Sequence, residues 1–422
     1  VLHDVTAGVI RQMLQNVYSI IIIRSNTEFF KMYSMKDLSK QHPVKKILNV
    51  ILLLTAFINL NVVYAAKPIP APPEIGAKSY ILLDFASGNV LAEKNADKKI
   101  EPASITKLMT SYVVYKELEE GRLSMDDMVT ISEKAWRMGG SRMYVEVDTK
   151  VSVYDLLKGL IVQSGNDATV ALAEHVAGTE DAFVQVMNQY ATELGMDNTN
   201  FKNSTGWPDD EHLTSARDIA ILAAAIITEF PEHYAWYAEK EYTYNDIKQY
   251  NRNKLLWSDK TVDGLKTGHT ESAGYCLVSS ALRSDMRIIA VVLGTDSEKA
   301  RASASQSILN YGFRFFESHV LYDEGEVISR PRVWKGEFET LSVGLNEDLA
   351  VTIPRGTYDD LDAVMDIDKN IEAPITKGQQ VGVVKVSLGD DELKTIPLVA
   401  LEAVNTGSLF QVAKDYLLRL IN

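Results

Sequence analysis

The chain of 422 residues contains one cysteine, Cys276, set in the apolar stretch Tyr275-Cys-Leu-Val278. A lone thiol excludes an intrachain disulfide and a cysteine-built zinc site, and these neighbours give it the place of a small buried hydrophobe. It does not exclude an extracytoplasmic location, because a chain this long can build a large core without disulfides. The seven histidines have no metal-ligand spacing, and no Ser-His-Asp arrangement is evident. Neither a metal nor any other cofactor is therefore expected. Positive charge is also short: 43 Lys and Arg face 57 Asp and Glu, for a net charge of −14. That balance argues against nucleic acid as a partner, and a site for an anionic substrate must gather its cations locally. Long apolar runs are scarce. The stretch from Ile47 to Val63 is short for a membrane span and holds Asn49, Asn59 and Asn61.

The flanks of that stretch give it another reading. Lys45 and Lys46 precede it, and Val63-Tyr-Ala65 closes it before Ala66. Basic, apolar and small residues in that order describe a secretory signal, with cleavage expected after Ala65 or Ala66. Residues 35–66 are expected to form this signal, and residues 1–34 an upstream extension before a start at Met32 or Met35. Lys67-Pro-Ile-Pro-Ala-Pro-Pro73 follows as a stiff leader.

From there the pattern predicts two modules and a tail. Tyr80–Phe85 and Val90–Ala92, joined by Ala86-Ser-Gly-Asn89, read as a hairpin. Pro102 and Ala103 open a helix that Gly121 ends, and Leu108, Met109, Tyr112, Val113 and Leu118 give it helical periodicity. Further helices are expected at 153–162, 167–176, 181–194, 216–228 and 297–316, with strands around Lys266, Cys276–Ala281 and Arg287–Leu293. Strands at both ends of a helical middle predict an α/β (α+β) domain over 67–318, its central antiparallel sheet flanked by helices. Over 319–405, short alternating pieces at Glu326–Ser329, Thr340–Val343, Ala350–Ile353, Val381–Val386 and Thr395–Val399 predict an all-β sandwich. Residues 406–422 are expected to form an amphipathic helix. Leu409, Phe410, Val412, Ala413, Tyr416, Leu417, Leu420 and Ile421 lie on one side, and Gln411, Lys414, Asp415 and Arg419 on the other. The pattern fits docking on the β module or lying in a membrane interface.

Three short motifs carry chemistry. Ser104-Ile-Thr-Lys107 places a hydroxyl near a helix N-terminus, with an amine three residues on along the same face. A serine needs a base to become nucleophilic, and a lysine serves only when neutral, a state favoured by burial and a second cation. Lys266 can be that cation. Ser164-Gly-Asn166, at a turn between helices, offers a hydroxyl to relay a proton and an amide to hold Lys107 and a substrate amide. Lys266-Thr-Gly268 presents a cation and a hydroxyl to a carboxylate, and Gly268 allows close backbone approach. The backbone N–H of His269 can join that of Ser104 in an oxyanion hole. Arg252 is a candidate second carboxylate clamp. Each motif is unremarkable alone, but the three in this order are a strong signal.

These residues resemble the low-molecular-mass penicillin-binding proteins, the D-alanyl-D-alanine carboxypeptidases of the type-5 and type-6 group. The longest blocks are Pro102–Thr110, Gln163–Ala168, Phe201–Pro208 (Phe-Lys-Asn-Ser-Thr-Gly-Trp-Pro) and Val262–Thr270. The resemblance implies a β-lactamase/transpeptidase-like fold and an acyl-enzyme on Ser104 that releases the terminal D-alanine of peptidoglycan pentapeptide stems. It implies Lys107 as proton acceptor, Ser164 and Asn166 as the second wall, and Lys266 with Thr267 on the terminal carboxylate. It further implies covalent inhibition by β-lactams, a periplasmic location, and attachment to the outer face of the inner membrane through the C-terminal helix. A β-lactamase would need a Glu-x-x-Leu-Asn loop, and Glu193-Leu-Gly-Met-Asp-Asn198 has the wrong spacing. A non-catalytic peptidoglycan-binding protein would have no need of Lys107.

Overall fold

The structure is a computed structural model that describes residues 69–419; the expected signal peptide and upstream extension lie outside them. Five strands frame the first module: β1 (Ser79–Asp84), β2 (Val90–Lys94), β3 (Val262–Thr270), β4 (Gly274–Arg283) and β5 (Met286–Thr295). They form an antiparallel sheet in the order β2-β1-β5-β4-β3. β5 is apolar along most of its length because both faces of the sheet are covered. Ile289, Val291 and Leu293 enter the core beneath the helices, whereas Ile288, Ala290 and Val292 enter the core on the other face. That alternation is the two-residue period of a strand.

The first face is covered by α1 (Lys107–Glu119), α2 (Val153–Lys158), α3 (Asn166–Ala177), α4 (Glu180–Glu193) and α5 (Ala216–Glu229). The second face packs on α6 (Glu298–Phe315). Side-chain oxygens of Ser152, Thr179, Ser215 and Ser297 accept backbone N–H bonds at the starts of α2, α4, α5 and α6. Each thereby satisfies a donor that the helix itself leaves free. The helix expected over 153–162 holds as α-helix only to Lys158 and continues as a π-helical turn, Gly159–Gln163.

Beyond α6 the chain becomes all-β. β6 (Phe316–Tyr322) pairs with β7 (Leu349–Pro354), and Val343–Gly344, β10 (Asp391–Ala400), β9 (Gln380–Leu388) and β8 (Leu361–Ile367) form a second sheet in that order. Leu349, Val351, Val384, Val386, Ile396 and Leu398 share its core. The pieces at Glu326–Ser329 and Thr340–Val343 make little more than single bridges, such as Ser329 to Val343 and Arg332 to Thr340. Pro331 between those bridges has no N–H to extend the ladder. β8 escaped the sequence reading because it is largely exposed and shows no buried alternation.

Asp84, at the end of β1, ties the modules together. Its buried Oδ2 accepts bonds from Ser87 Oγ (2.7 Å), Ser318 Oγ on β6 (2.9 Å) and Thr352 Oγ1 on β7 (2.7 Å). The tail forms α7 (Leu409–Arg419), which docks on the β module through its polar side. Asp415 accepts from the Lys335 backbone N–H (2.6 Å) and Arg332 (2.9 Å), and Arg419 pairs with Glu372 (2.8 Å). Arg332 and Arg419 both lie on the ring of Trp334. The apolar side is left outward, with Leu409 90% and Phe410 80% exposed. Val412, expected on that side, is half-buried.

Candidate active site

Ser104 lies in a 3₁₀ turn, Ala103–Thr106, that runs into α1 at Lys107. Three residues of that geometry bring Lys107 Nζ to 3.0 Å from Ser104 Oγ. The amine is fully buried, and it lies 2.7 Å from both Asn166 Oδ1 and the Thr205 carbonyl. Burial, reinforced by the Arg252 cation and opposed by Asp167, pulls its pKa down to about 7. A neutral amine has two N–H groups and one lone pair. The two carbonyl-type oxygens take the N–H groups, which leaves the lone pair for the hydroxyl of Ser104.

The π-helical turn delivers Ser164 in a left-handed conformation (φ 64°, ψ 36°). Its Oγ accepts a 2.7 Å bond from Lys266 Nζ on β3. Burial and the neighbouring cations Lys107, Arg252 and Arg301 push Lys266 well below the ordinary lysine range. Asn166 opens α3 and donates through Nδ2 to the Gly139 carbonyl (2.7 Å), while its backbone N–H donates to Ser141 (2.7 Å). Asp167 is buried beside it and accepts the N–H groups of Met143 and Tyr144, both at 2.8 Å. Together these two residues fasten the segment 139–144 against α3.

A second loop supplies the Thr205 carbonyl. Asn203 Oδ1 accepts N–H bonds from Gly206 (2.8 Å) and Trp207 (2.9 Å), and Glu180 Oε1 accepts from Ser204 N (3.0 Å) and Oγ (2.6 Å). His212 ties the loop to the Ala103–Thr106 turn. Its Nδ1 accepts from Lys202 N (3.1 Å), so its Nε2 carries the proton donated to Thr106 Oγ1 (2.8 Å). Burial lowers His212 to about 4, which keeps it neutral. Gly206, at φ +82°, lies so close to this turn that a Cβ would fall 1.8 Å from the Ala103 carbonyl oxygen.

These walls enclose a cleft of about 450 Å³, lined by Ser104, Ser164, Asn166, Arg252, Thr267, Gly268 and His269 among others, with Lys107 and Lys266 buried at its wall. All nine residues singled out from the sequence thus converge. His269 is exposed and its ring stacks on Tyr275 (centroids 3.9 Å apart); Arg252 is exposed at the cleft wall. Gly268 is required where it stands, since a Cβ would lie 2.9 Å from the Pro102 carbonyl oxygen. Sequence reasoning missed Arg301, buried on α6, which donates to the Gly268 carbonyl (3.2 Å) and lines the cleft. It also gave no role to the Phe201–Pro208 loop, whose signal was the block of Asn, Ser, Thr and Gly before Trp207. Among the described residues no cluster of three or more His, Cys, Asp or Glu has metal-binding geometry.

Residues 66–297 match the family described as D-alanyl-D-alanine carboxypeptidase, and residues 316–406 match the penicillin-binding protein 5 C-terminal domain. The chain belongs to the D-alanyl-D-alanine carboxypeptidase family. It is 42% identical over 370 residues to the D-alanyl-D-alanine carboxypeptidase DacC of Escherichia coli strain K12, covering 86% of this chain and 92% of that protein. The crystal structure of penicillin binding protein 5 from Haemophilus influenzae superposes with a TM-score of 0.76 at 44% identity, covering 80% of this chain and 99% of the other. Penicillin-binding protein D2 of Listeria monocytogenes, solved in its ampicillin-bound form, matches with a TM-score of 0.54 at 29% identity, covering 58% and 100%. The expected fold is the fold found: a transpeptidase-like α/β domain around an antiparallel sheet, a C-terminal β module and a terminal helix. The family makes the protein a serine-type D-Ala-D-Ala carboxypeptidase, a hydrolase of the bacterial cell wall.

Proposed function

We propose that Ser104 is the nucleophile and Lys107 the base of this carboxypeptidase. The observation that carries the reading is the 3.0 Å approach of a buried lysine amine to Ser104 Oγ, with two oxygens occupying its remaining N–H groups. Lys107 takes the hydroxyl proton as Oγ adds to the carbonyl carbon of the penultimate D-Ala. The N–H groups of Ser104 and His269 receive the oxyanion. Arg252, Arg301, Lys266 and Thr267 gather at the strand side of the cleft, where the substrate's terminal carboxylate binds. The C–N bond breaks as a proton passes through Ser164 to the leaving amine, and free D-alanine departs. Water then adds to the Ser104 ester as Lys107 takes its proton, the ester C–O bond breaks while Lys107 returns that proton to Ser104 Oγ, and the shortened stem leaves as an acid that ionises to its carboxylate.

A β-lactam presents a strained amide and a carboxylate to the same groups, as the ampicillin-bound form of the Listeria protein supports. Its expected product is a persistent adduct on Ser104. Division into a catalytic module over 67–318, a β module over 319–405 and an anchor helix over 406–422 belongs to this reading, as do a signal at 35–66 and a periplasmic location. No helix among the described residues is long and apolar enough to cross a membrane. The outward apolar side of α7 supports attachment within the interface at the outer face of the inner membrane.

The deciding experiment is D-alanine release from Nα,Nε-diacetyl-L-Lys-D-Ala-D-Ala. Wild type should release it, and Ser104→Ala should fall to background while remaining folded. Equal rates would end the proposal.

A further inference from the structure

An aromatic ring that serves no core stands at one lip of the cleft. Trp207 is 50% exposed, yet its backbone is fixed on both sides: its N–H donates to Asn203 Oδ1 (2.9 Å), and its carbonyl accepts from Asn203 Nδ2 (2.9 Å). Its indole rests on Gly139 and Gly140, where a Cβ would come within 3.4 Å of Cη2 and 3.6 Å of Cζ3. Two glycines in succession leave a flat backbone surface for the ring to lie on. The same surface is gripped from below by Asn166 Nδ2 on the Gly139 carbonyl (2.7 Å). The large apolar ring is therefore held rigidly and left partly in water within the cleft.

The two sides of the cleft differ in charge. Arg252, Arg301, Lys266 and Thr267 make the side that takes the terminal carboxylate, hence the departing D-Ala. Trp207 lies two residues after the Thr205 carbonyl and touches the segment held by Asn166, on the uncharged side. That leaves the acyl portion of the peptide, the part preceding the D-Ala pair, to meet the indole. We propose that Trp207 is a specificity-determining residue that packs against the long aliphatic side chain of the residue preceding the D-Ala pair. The methylenes of a lysine- or diamino-acid-type side chain lie flat on an indole face, and a terminal ammonium gains from the ring's negative face. This rests on the catalytic reading above and adds which part of the stem is selected.

The test compares two substrates, diacetyl-L-Lys-D-Ala-D-Ala and acetyl-Gly-D-Ala-D-Ala, in wild type, Trp207→Ala, Trp207→Phe and Ser104→Ala. One apolar side-chain contact discriminates substrates by about 10- to 200-fold. In Trp207→Ala, kcat/KM for the Lys peptide should fall at least about tenfold, while that for the Gly peptide stays within about twofold. Trp207→Phe should restore most of the difference. Equal losses on both peptides would mean that Trp207 only props the loop, and no loss on the Lys peptide would mean that it meets no side chain; either overturns the proposal. Ser104→Ala separates the two readings, because activity surviving there removes the catalytic assignment, whereas its loss with an unchanged Lys-to-Gly ratio in Trp207→Ala removes only this one.

Discussion

At the residue scale the catalytic reading turns on the charge state of one amine. Lys107 can accept a proton only when neutral, and its pKa lies near 7. Acylation by substrate or penicillin should therefore rise with pH through about 7 to a plateau and fall about tenfold per unit on the acid side. Burial is the largest cause of that shift, and the Arg252 cation is the next. Arg252→Ala should move the acid limb to higher pH, because the protonated amine loses a repulsive neighbour, and should raise KM through loss of a carboxylate partner. A pH profile of acylation on the two proteins checks both. His212 makes no limb of its own above about 5, since burial keeps it neutral there. The residues to which this reading assigns the chemistry were legible in the sequence because their serines and lysines keep short, fixed spacings in the chain. Arg301 was not, because α6 reaches the cleft only through the tertiary packing of the sheet.

At the scale of the element, loops set the precision of the site. The Phe201–Pro208 loop brings a carbonyl oxygen to Lys107, and Gly206 is the position at which it passes the Ala103–Thr106 turn. Gly206→Ala places a methyl group on the Ala103 oxygen at a φ that alanine resists. Acylation should drop by about a hundredfold or more, a loss equivalent to roughly 3 kcal/mol of transition-state stabilisation, with the helical circular-dichroism signal retained. The helices were readable from periodicity and caps, but the π-helical turn before Ser164 was not. Gly159–Val162 is apolar and buried, as a helix face against the core would be, and only the left-handed Ser164 reveals the altered winding. The tail's two-sided pattern was equally visible, while the choice of side was not. Apolar residues ordinarily turn inward, yet here buried Asp415 and its partners Arg332 and Lys335 hold the helix by its polar side. Removing residues 408–422 should release the protein from membranes in a fractionation assay and leave tripeptide hydrolysis unchanged.

For the whole molecule, the two modules meet through a polar node. Asp84 on β1 binds hydroxyls from Ser87 in its own module and from Ser318 and Thr352 in the other. Losing a buried, charge-assisted hydrogen-bond partner costs about 1–3 kcal/mol. Asp84→Ala is expected to separate the heat-unfolding transition into two in calorimetry, with catalysis on small peptides preserved. Nothing in the sequence distinguished Asp84 from any other turn aspartate, since its partners in the β module lie more than two hundred residues away. The division into an α/β part and a β part was legible because periodicity changes along the chain, whereas their junction is a fact of three-dimensional packing.

Cys276 lies inside the sheet with its thiol pushed up to about 11 by burial. Maleimides and other alkylating reagents attack the thiolate, which at neutral pH is almost absent here and shielded by both faces of the sheet. The native protein thus behaves as though it had no cysteine. A single one introduced at Leu417 on the outward side of α7, or at Trp136 near the surface of the catalytic module, can carry a fluorophore or spin probe without prior removal of the natural residue.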